Sequence, residues 1–243
     1  TGLFSKNKID TRYLLRNNSR ITTSKSRIIS RNQQMMRLDS EITTDLNAEE
    51  ENLLIEKVQQ YLEKEKPQVL ILEDYNKGVL TTRVIKEVIA LCKKNNVITS
   101  VDPKRKNFLS YTGVDIFKPN MKEVKDGLNL LTDETSFSIL NDIHQQLQES
   151  LQHRISFITL SEKGVFYREG MNACMVPSHF RNITDVSGAG DTVIAVASLL
   201  YAATKNVDLM AKVANIAGGL VCEEVGTVAI NKQLLLDECK LLL

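Results

Sequence analysis

Hydrophobic and polar positions follow two alternating patterns along this chain, and the patterns predict strands and helices in turn. Beyond residue 67, short apolar runs alternate with longer segments in which apolar residues recur every three or four positions. Short apolar runs bounded by turn residues are typical of buried strands, and the longer recurrence is typical of amphipathic helices. The predicted strands cover 69–72, 97–101, 114–117, 155–160 and 165–168, and the predicted helices cover 81–95, 136–151, 191–203, 208–224 and 231–241.

The first 66 residues follow a different pattern. Residues 21–30 alternate β-branched and polar side chains, which predicts a strand with one wet face, and residues 35–39 predict a second short strand. Residues 47–65 are rich in Glu, Leu and Lys, with apolar positions at helical spacing, so we expect a helix there. Late in the chain, residues 180–184 predict one more strand-like segment before a run of small residues.

The order strand, helix, strand predicts a mostly parallel sheet with helices on both faces. Ligands of such sheets bind beyond the carboxyl ends of the strands. Polar residues collect at these predicted ends and indicate a site, although each one alone is explained equally well as a helix cap or a solvated loop residue. These residues are Asp74, Asp102, Lys104, Asn120, Glu123, Ser161 and Asp191.

Residues 185–192, Asp-Val-Ser-Gly-Ala-Gly-Asp-Thr, carry the most informative motif in the sequence. Gly188, Ala189 and Gly190 bring backbone N–H groups to the start of a helix, whose amino end attracts anions. Asp191 follows, and a carboxylate beside an anion site can take the proton of an attacking hydroxyl. The combination favours phosphoryl transfer to an alcohol. The alternative is a tight turn with close packing; the sequence contains neither a P-loop nor a dinucleotide fingerprint.

Composition narrows the classes of partner. The chain has 243 residues, 42% hydrophobic and 25% charged, which is ordinary for a soluble globular protein. A net charge of +1 and an aromatic content of 5% without Trp give no reason to expect nucleic acid or membrane as a partner. Four scattered cysteines, and a start without an apolar signal core, favour reduced thiols in a cytoplasmic protein.

Charge is nevertheless uneven along the chain. Through Arg37 there are nine Lys or Arg residues and one acid, Asp10, so this segment carries a net charge of +8. Such a surface suits a phosphorylated substrate, and a solvated basic face explains it equally well.

Four motifs in one order resemble those of the ribokinase-type (PfkB) carbohydrate kinase family, over roughly residues 20 to 240. The segment 185–191 is similar to the family's carboxyl-terminal signature, and 120–123, Asn-Met-Lys-Glu, to its Asn-x-x-Glu motif. Residues 159–164 resemble the nucleotide loop and 214–219 the helix that lines the purine pocket. The resemblance implies a ribokinase-like three-layer α/β/α sandwich with a small β lid.

Within this family the chain is most similar to D-glycero-D-manno-heptose 7-phosphate kinases. The similarity lies in residues 29–34 followed by 37–39, in Asp-Tyr-Asn-Lys-Gly-Val-Leu at 74–80, and in Asp-Pro-Lys at 102–104. The resemblance implies ATP-dependent phosphorylation of heptose 7-phosphate to the 1,7-bisphosphate, a step of lipopolysaccharide precursor synthesis. Two alternatives stay open: another sugar or nucleoside kinase of this family, and a non-catalytic nucleotide-binding protein on the same scaffold.

The resemblance also implies roles for individual residues. Asp191 is then the base, and the N–H groups of Gly188, Ala189 and Gly190 form the anion hole. Asn120 and Glu123 orient Mg²⁺ through water, and Lys104 neutralises ATP phosphate charge. The nucleotide is contacted by Ser161, Gly164 and Asn215, a monovalent cation such as K⁺ by Asp185, and the sugar phosphate by Arg31 and Gln33. A helix cap for Asn120, packing for Asn215 and a strand surface for Arg31 and Gln33 are the alternative interpretations.

One kinase domain over 1–243 is expected, with lid strands in about 20–40 and an α/β core in 47–243. The family's first strand and its Gly-Gly segment are not found in the sequence, so we expect the domain to lack that part. The resemblance further implies a homodimer formed through the lid. Because no His-x-Gly-His motif occurs, a fused adenylyltransferase activity is not expected.

Overall fold

A computed structural model of the protein describes residues 2–30, 33–132 and 134–243. Its strands form two sheets. The first is an antiparallel hairpin of β1 (Ser24–Ser30) and β2 (Gln33–Ser40). The second has six strands in chain order, of which the first four are parallel and the last two antiparallel to their neighbours: β3 (Val69–Glu73), β4 (Ile98–Asp102), β5 (Ile116–Phe117), β6 (Ile155–Thr159), β7 (Val165–Glu169) and β8 (Asn172–Val176).

Eight α-helices lie in the described part of the chain. They are α1 (Gly2–Lys6), α2 (Ala48–Glu65), α3 (Thr82–Lys94), α4 (Met121–Leu128), α5 (Phe137–Leu151), α6 (Ala189–Thr204), α7 (Val207–Val221) and α8 (Lys232–Leu242). Most begin at a side chain that accepts a backbone N–H of the first turn, as Thr81 does for α3 and Asn206 for α7. None of these helices is long and apolar enough to cross a membrane.

The helices cover both faces of the six-stranded sheet, because its strands are apolar on both sides. In β6, Ile155 and Phe157 pack against α6 and α7, whereas Ile158 belongs to the core beneath α2, α3 and α5. Successive side chains of a strand point to opposite faces, so one strand contributes to two cores. The predicted three-layer α/β/α arrangement is therefore confirmed.

Apart from the segment 180–184, the predicted strands and helices from residue 21 onward are confirmed, with ends that differ by a few residues. Neither α1 nor β8 was predicted, and β8 completes a meander after β7. The strand-like prediction for 180–184 was wrong. Thr184 and Asp185 donate backbone N–H groups to the Cys222 carbonyl at the end of α7, and Arg181 forms ion pairs with Glu223 and Glu238. The segment is therefore held by a helix end and not by a sheet edge.

The hairpin has two unlike faces. On one face the cross-strand partners are Ser26 with Leu38 and Ile28 with Met36, and these three apolar side chains are all exposed. On the other face Lys25 lies opposite Asp39 and Arg27 lies opposite Arg37. Asp39 forms ion pairs with both neighbours: its Oδ2 lies 3.6 Å from Lys25 Nζ, and its Oδ1 lies 2.9 Å from Arg37 Nε.

Candidate active site

Three carboxylates meet where β3, β4 and α6 come together. Glu73 ends β3, Asp102 ends β4, and Asp191 lies in the first turn of α6. One oxygen atom from each lies within 4.8 Å of the others. Asp102 is buried and Asp191 is exposed, so the cluster extends from the sheet edge to solvent. Like charges at this spacing repel, which makes the site one that attracts cations.

Two lysines lie inside this acidic cluster. Lys118, with a side chain only 3% exposed, places Nζ 3.3 Å from Asp102 Oδ1. Lys104 Nζ lies 3.0 Å from the same oxygen and 2.6 Å from Glu123 Oε1. A Cβ atom on Gly190 would lie 3.8 Å from both Asp102 Oδ2 and Lys118 Nζ, so the amino end of α6 sits directly over this ion pair.

The charges around Lys104 keep it protonated. Burial favours the neutral amine, but the charge of Asp102 and the hydrogen bond to Glu123 outweigh burial and raise the pKa of Lys104 above its ordinary value. A fixed ammonium group at the open side of the cluster is suited to a phosphate group.

Glu73 is the least satisfied member of the cluster. Its Oε2 atom is buried and has no hydrogen-bond partner among the residues described. Burial, and next the charges of Asp102 and Asp191, raise the pKa of Glu73 to about 7. A buried oxygen without a partner is costly, so this atom is available to a cation or a ligand hydroxyl.

Asp191 combines exposure with a fixed orientation. Its Oδ1 atom accepts a hydrogen bond from Tyr75 Oη at 2.8 Å. The helix that carries it begins after Gly188, which has a φ of +85° and where a Cβ atom would lie 2.9 Å from the Thr227 side chain, so the position requires glycine. In this structure the Ala189 N–H donates to the Val186 carbonyl at 3.3 Å, while the first turn of any helix leaves N–H groups without intrahelical partners.

Asp185, the first residue of the 185–191 motif, accepts backbone hydrogen bonds from within the motif and from the turn at Gly226. Its Oδ1 accepts the Ser187 N–H at 2.9 Å and its Oδ2 accepts the Gly226 N–H at 3.1 Å. The hydrogen bonds from Ser187, the bond from Gly226 and the charge of Arg27 lower the pKa of Asp185, with burial acting in the opposite direction. The carboxylate is therefore ionised, and Arg27 of the hairpin is near enough to act on it.

Asn120 and Glu123 form a capping box at the start of α4. The Glu123 N–H donates to Asn120 Oδ1, and the Asn120 N–H donates to Glu123 Oε2, both at 2.8 Å. The other oxygen of Glu123 accepts from Lys104. The helix-cap interpretation of Asn120 is thus confirmed, and a cation near these residues has to be reached through water or by displacing Lys104.

Ser161, Gly164 and Asn215 come together around the segment that follows β8. Gly164, at φ +93°, packs so closely that a Cβ atom would lie 2.1 Å from the Val176 carbonyl oxygen. Asn215 Nδ2 donates to the Pro177 carbonyl at 2.8 Å. Ser161 begins the short turn between β6 and β7 that Gly164 closes. The structure therefore gathers the three residues predicted to meet the nucleotide, and it gives Asn215 a packing role as well.

Two other expectations have different outcomes. Asp74, one of the polar residues predicted to gather at the site, is buried and structural: it accepts hydrogen bonds from the Asn76 N–H, Asn107 Nδ2 and Tyr111 Oη. Arg31 and the side chain of Gln33 lie outside the residues that the structure describes.

Sequence reasoning gave no role to three residues of the cluster: Glu73, Lys118 and Tyr75. Each stands within two positions of a residue that the patterns did single out. Glu73 ends the same apolar run that Asp74 follows, and Lys118 begins the Lys-Pro-Asn that leads into α4. A charged residue that closes a buried strand was the available signal, because nothing in a buried strand requires it.

Comparison with known proteins gives a family and a set of relatives. Residues 1–234 match the family described as pfkB family carbohydrate kinase. Three relatives named Bifunctional protein HldE come from Aliarcobacter butzleri, Helicobacter pylori J99 and Geobacter sulfurreducens. They are 36%, 35% and 31% identical over 93%, 97% and 94% of this chain, and over 46%, 49% and 46% of their own. The chain therefore spans about half the length of the curated relatives it matches.

Solved structures show the same fold at low identity. The ribokinase from Giardia lamblia aligns with a TM-score of 0.76 and 15% identity over 98% of this chain and 77% of its own. Phosphofructokinase-2 from Escherichia coli, in complex with potassium, aligns with a TM-score of 0.70 and 17% identity over 83% and 65%. The predicted ribokinase-like fold is confirmed by these matches.

Proposed function

Because the chain belongs to the pfkB family of carbohydrate kinases, we propose that it transfers a phosphoryl group from ATP to D-glycero-D-manno-heptose 7-phosphate. The product is the 1,7-bisphosphate, a precursor for the heptose of lipopolysaccharide, and the use of ATP goes with a cytoplasmic enzyme. The observation that carries the chemistry is the exposed Asp191 carboxylate in the first turn of α6, grouped with Asp102, which binds Lys104 and Lys118. The identity to HldE proteins and the heptose-kinase motifs support the choice of sugar.

In this proposal Asp191 takes the proton of the anomeric hydroxyl as the oxygen attacks the terminal phosphorus of ATP. Negative charge develops on the transferring phosphoryl group, and N–H groups of the first turn of α6 donate to it. Lys118 lies against that turn, Lys104 binds the neighbouring Asp102 carboxylate, and both ammonium groups stabilise the same charge. Ser161, Gly164 and Asn215 contact the nucleotide.

Kinases of this family use ATP and a divalent metal ion. The buried, unpaired Oε2 of Glu73 and the carboxylate of Asp102 fit Mg²⁺, a hard ion that prefers oxygen ligands, with Asn120 and Glu123 reaching it through water. When bound, the ion neutralises phosphate charge. A monovalent cation such as K⁺ is proposed at Asp185, whose carboxylate is ionised.

The hairpin supports an acceptor that already carries a phosphate. Arg27 and Arg37 lie directly opposite each other on the charged face, and like charges in such a pair repel. Arg37 is bonded to Asp39, whereas Arg27 acts on Asp185 of the signature loop. An anion between the two guanidinium groups relieves their repulsion, and a phosphate accepts bidentate hydrogen bonds from arginine. Arg31 and Gln33, which the resemblance assigns to the sugar phosphate, are part of the proposal.

The test is sugar-dependent release of ADP in Mg-ATP, comparing heptose 7-phosphate, unphosphorylated heptose, fructose 6-phosphate, ribose and no sugar. The proposal predicts release with heptose 7-phosphate alone, and a KM for that sugar raised about tenfold or more by Arg27→Gln. Arg83→Gln, which alters a surface pair with Glu51, is the matched control and leaves the KM unchanged. Release with another sugar discards the heptose assignment. ATP binding without release under any condition favours the non-catalytic alternative.

A further inference from the structure

The loop that follows β3 carries a tyrosine whose hydroxyl is bonded to the proposed base. Tyr75 Oη donates to Asp191 Oδ1 at 2.8 Å, although the two residues are 116 positions apart. Burial raises the pKa of Tyr75 well above its ordinary value, and the hydrogen bond to Asp191 and the charge of Asp191 raise it further. The phenol therefore remains a neutral donor at any pH near neutrality. It occupies one carboxylate oxygen and leaves the other to accept a proton.

The core holds this loop on one side of the tyrosine. Asp74, the preceding residue, is only 3% exposed. It accepts hydrogen bonds from the Asn76 N–H at 2.8 Å, Tyr111 Oη at 2.7 Å and Asn107 Nδ2 at 3.1 Å. A buried carboxylate with three donors is strongly fixed, so the backbone that carries Tyr75 is fixed as well.

Residues that flank the β1–β2 hairpin hold the loop on the other side. Lys77 Nζ lies 2.6 Å from Glu41 Oε1, one residue beyond β2. Arg20 donates to the backbone carbonyls of Lys77 and Thr44. Gly78, at φ +75°, approaches Thr44 so closely that a Cβ atom would lie 1.9 Å from its carbonyl oxygen. Tyr75 therefore lies on a short loop that is held by the core on one side and by the residues flanking the β1–β2 hairpin on the other.

We propose that Tyr75 is a positioning residue that holds the Asp191 carboxylate in the orientation needed to take the proton of the acceptor hydroxyl. The proton passes from the hydroxyl to the free carboxylate oxygen, and Tyr75 keeps its own. The inference rests on the proposed function, in which Asp191 is the base. A carboxylate without this bond samples other rotamers, and fewer of them are aligned with the hydroxyl.

The kinetic test is a double-mutant cycle of Tyr75→Phe and Asp191→Asn, in which Tyr75→Phe removes only the hydroxyl. The expected result is a kcat lowered about tenfold in the wild-type background, the scale of one hydrogen bond to a charged group, with little change in either KM. In the Asp191→Asn background, Tyr75→Phe has no further effect, because it acts through the carboxylate. Tyr13→Phe, which removes a hydroxyl bonded to Glu65 at the same 2.8 Å, is the control and leaves kcat unchanged.

Two kinetic results overturn the inference: an unchanged kcat, whether or not the sugar KM rises, or equal losses in both backgrounds. A second readout does not depend on turnover. Crystal structures of the wild type and Tyr75→Phe are expected to show one Asp191 rotamer and several, respectively, and an unmoved carboxylate contradicts the inference. If the wild type phosphorylates no sugar, the proposed function fails, and this structural comparison alone decides the role of Tyr75.

Discussion

Two clusters of ionisable residues lie against the central sheet at opposite ends of its parallel strands, and they are built on opposite principles. At the carboxyl ends, Glu73, Asp102 and Asp191 surround two ammonium groups and open to solvent. At the amino end of β6, two buried histidines share one serine hydroxyl. His144 Nδ1 lies 2.8 Å and His153 Nε2 lies 2.6 Å from Ser156 Oγ.

The difference lies in charge. A serine hydroxyl has one proton, so it donates to one imidazole, which has to be neutral, and accepts from an N–H of the other. Burial is the main cause that lowers the pKa of His144 to about 4, and the charge of Arg168 adds to it. Burial likewise lowers the pKa of His153 to about 4, and there the charge of His144 adds to it. In the acidic cluster the pKa of Glu73 moves to about 7 instead. A closed cluster that excludes charge stabilises a fold, and an open one that retains charge is suited to binding.

The largest expected effect comes from the buried ammonium group of the open cluster. Lys118→Met removes the cation 3.3 Å from Asp102 Oδ1 and leaves three carboxylates with less compensation. We expect a loss of about 3–5 kcal/mol in the free energy of unfolding, the scale for breaking a buried ion pair, measured by urea denaturation at pH 7.5. Lys240→Met, which removes an exposed pair with Asp237, is the control and costs less than about 1 kcal/mol. Equal effects of the two variants contradict the account.

The closed cluster is expected to make the fold sensitive to acid. Its histidines have a folded pKa of about 4 and an ordinary pKa of 6.5, so the unfolded chain binds more protons between these values. Stability is fully present above pH 6.5 and is lost as pH falls towards 4, by up to about 3 kcal/mol for each histidine.

Urea denaturation from pH 7.5 to 4.5 checks this. His153→Gln removes one of the two groups and is expected to make the free energy of unfolding depend less steeply on pH. His179→Gln, in the partly exposed segment after β8, leaves this dependence as in the wild type. An unchanged pH dependence of the unfolding free energy in His153→Gln shows that the buried histidines do not govern acid stability.

Glu73 is expected to destabilise the folded protein as pH rises, which is the opposite pH dependence to that of the histidines, and its effect is smaller. Its folded pKa of about 7 exceeds the ordinary 4.5, so the folded state holds the proton more tightly and stability falls as pH rises from 4.5 to 7. Glu73→Gln removes this cost and is expected to stabilise the protein by about 1–2 kcal/mol at pH 8, after allowance for partial solvent screening, and by less at pH 5. Unfolding free energies of both proteins at the two pH values test it, and a variant that is less stable at pH 8 rules out the assigned repulsion.

The sequence predicted regular elements better than it predicted the identity of the charged partners. Apolar periodicity located the parallel strands and their crossover helices, and the motif at 185–191 located the start of α6. It did not distinguish Glu73 from Asp74, because adjacent residues at a strand end face opposite sides and only packing decides which one enters the site. In this fold Tyr111 and Asn107 bind Asp74 and leave Glu73 in the cluster.

Contacts between distant segments explain the other differences between the sequence-based predictions and the structure. The pairing of Tyr75 with Asp191 depends on how the loop after β3 meets α6, which no local pattern encodes. Likewise, residues 180–184 have the composition of a strand, but the ion pairs of Arg181 with Glu223 and Glu238 draw that segment onto α7 and α8. Local propensity was overridden there by tertiary contacts.

The most direct test of the central claim is ADP formation with Mg-ATP and heptose 7-phosphate by Asp191→Asn, with ATP binding measured on the same sample. The account predicts a turnover lowered by about 10²-fold or more, the scale of lost general-base catalysis, with ATP binding and fold retained. Asp237→Asn, a change at an exposed carboxylate of α8, is predicted to keep wild-type turnover. Near-normal turnover in Asp191→Asn would remove this carboxylate from the chemistry and contradict the functional interpretation of the open cluster.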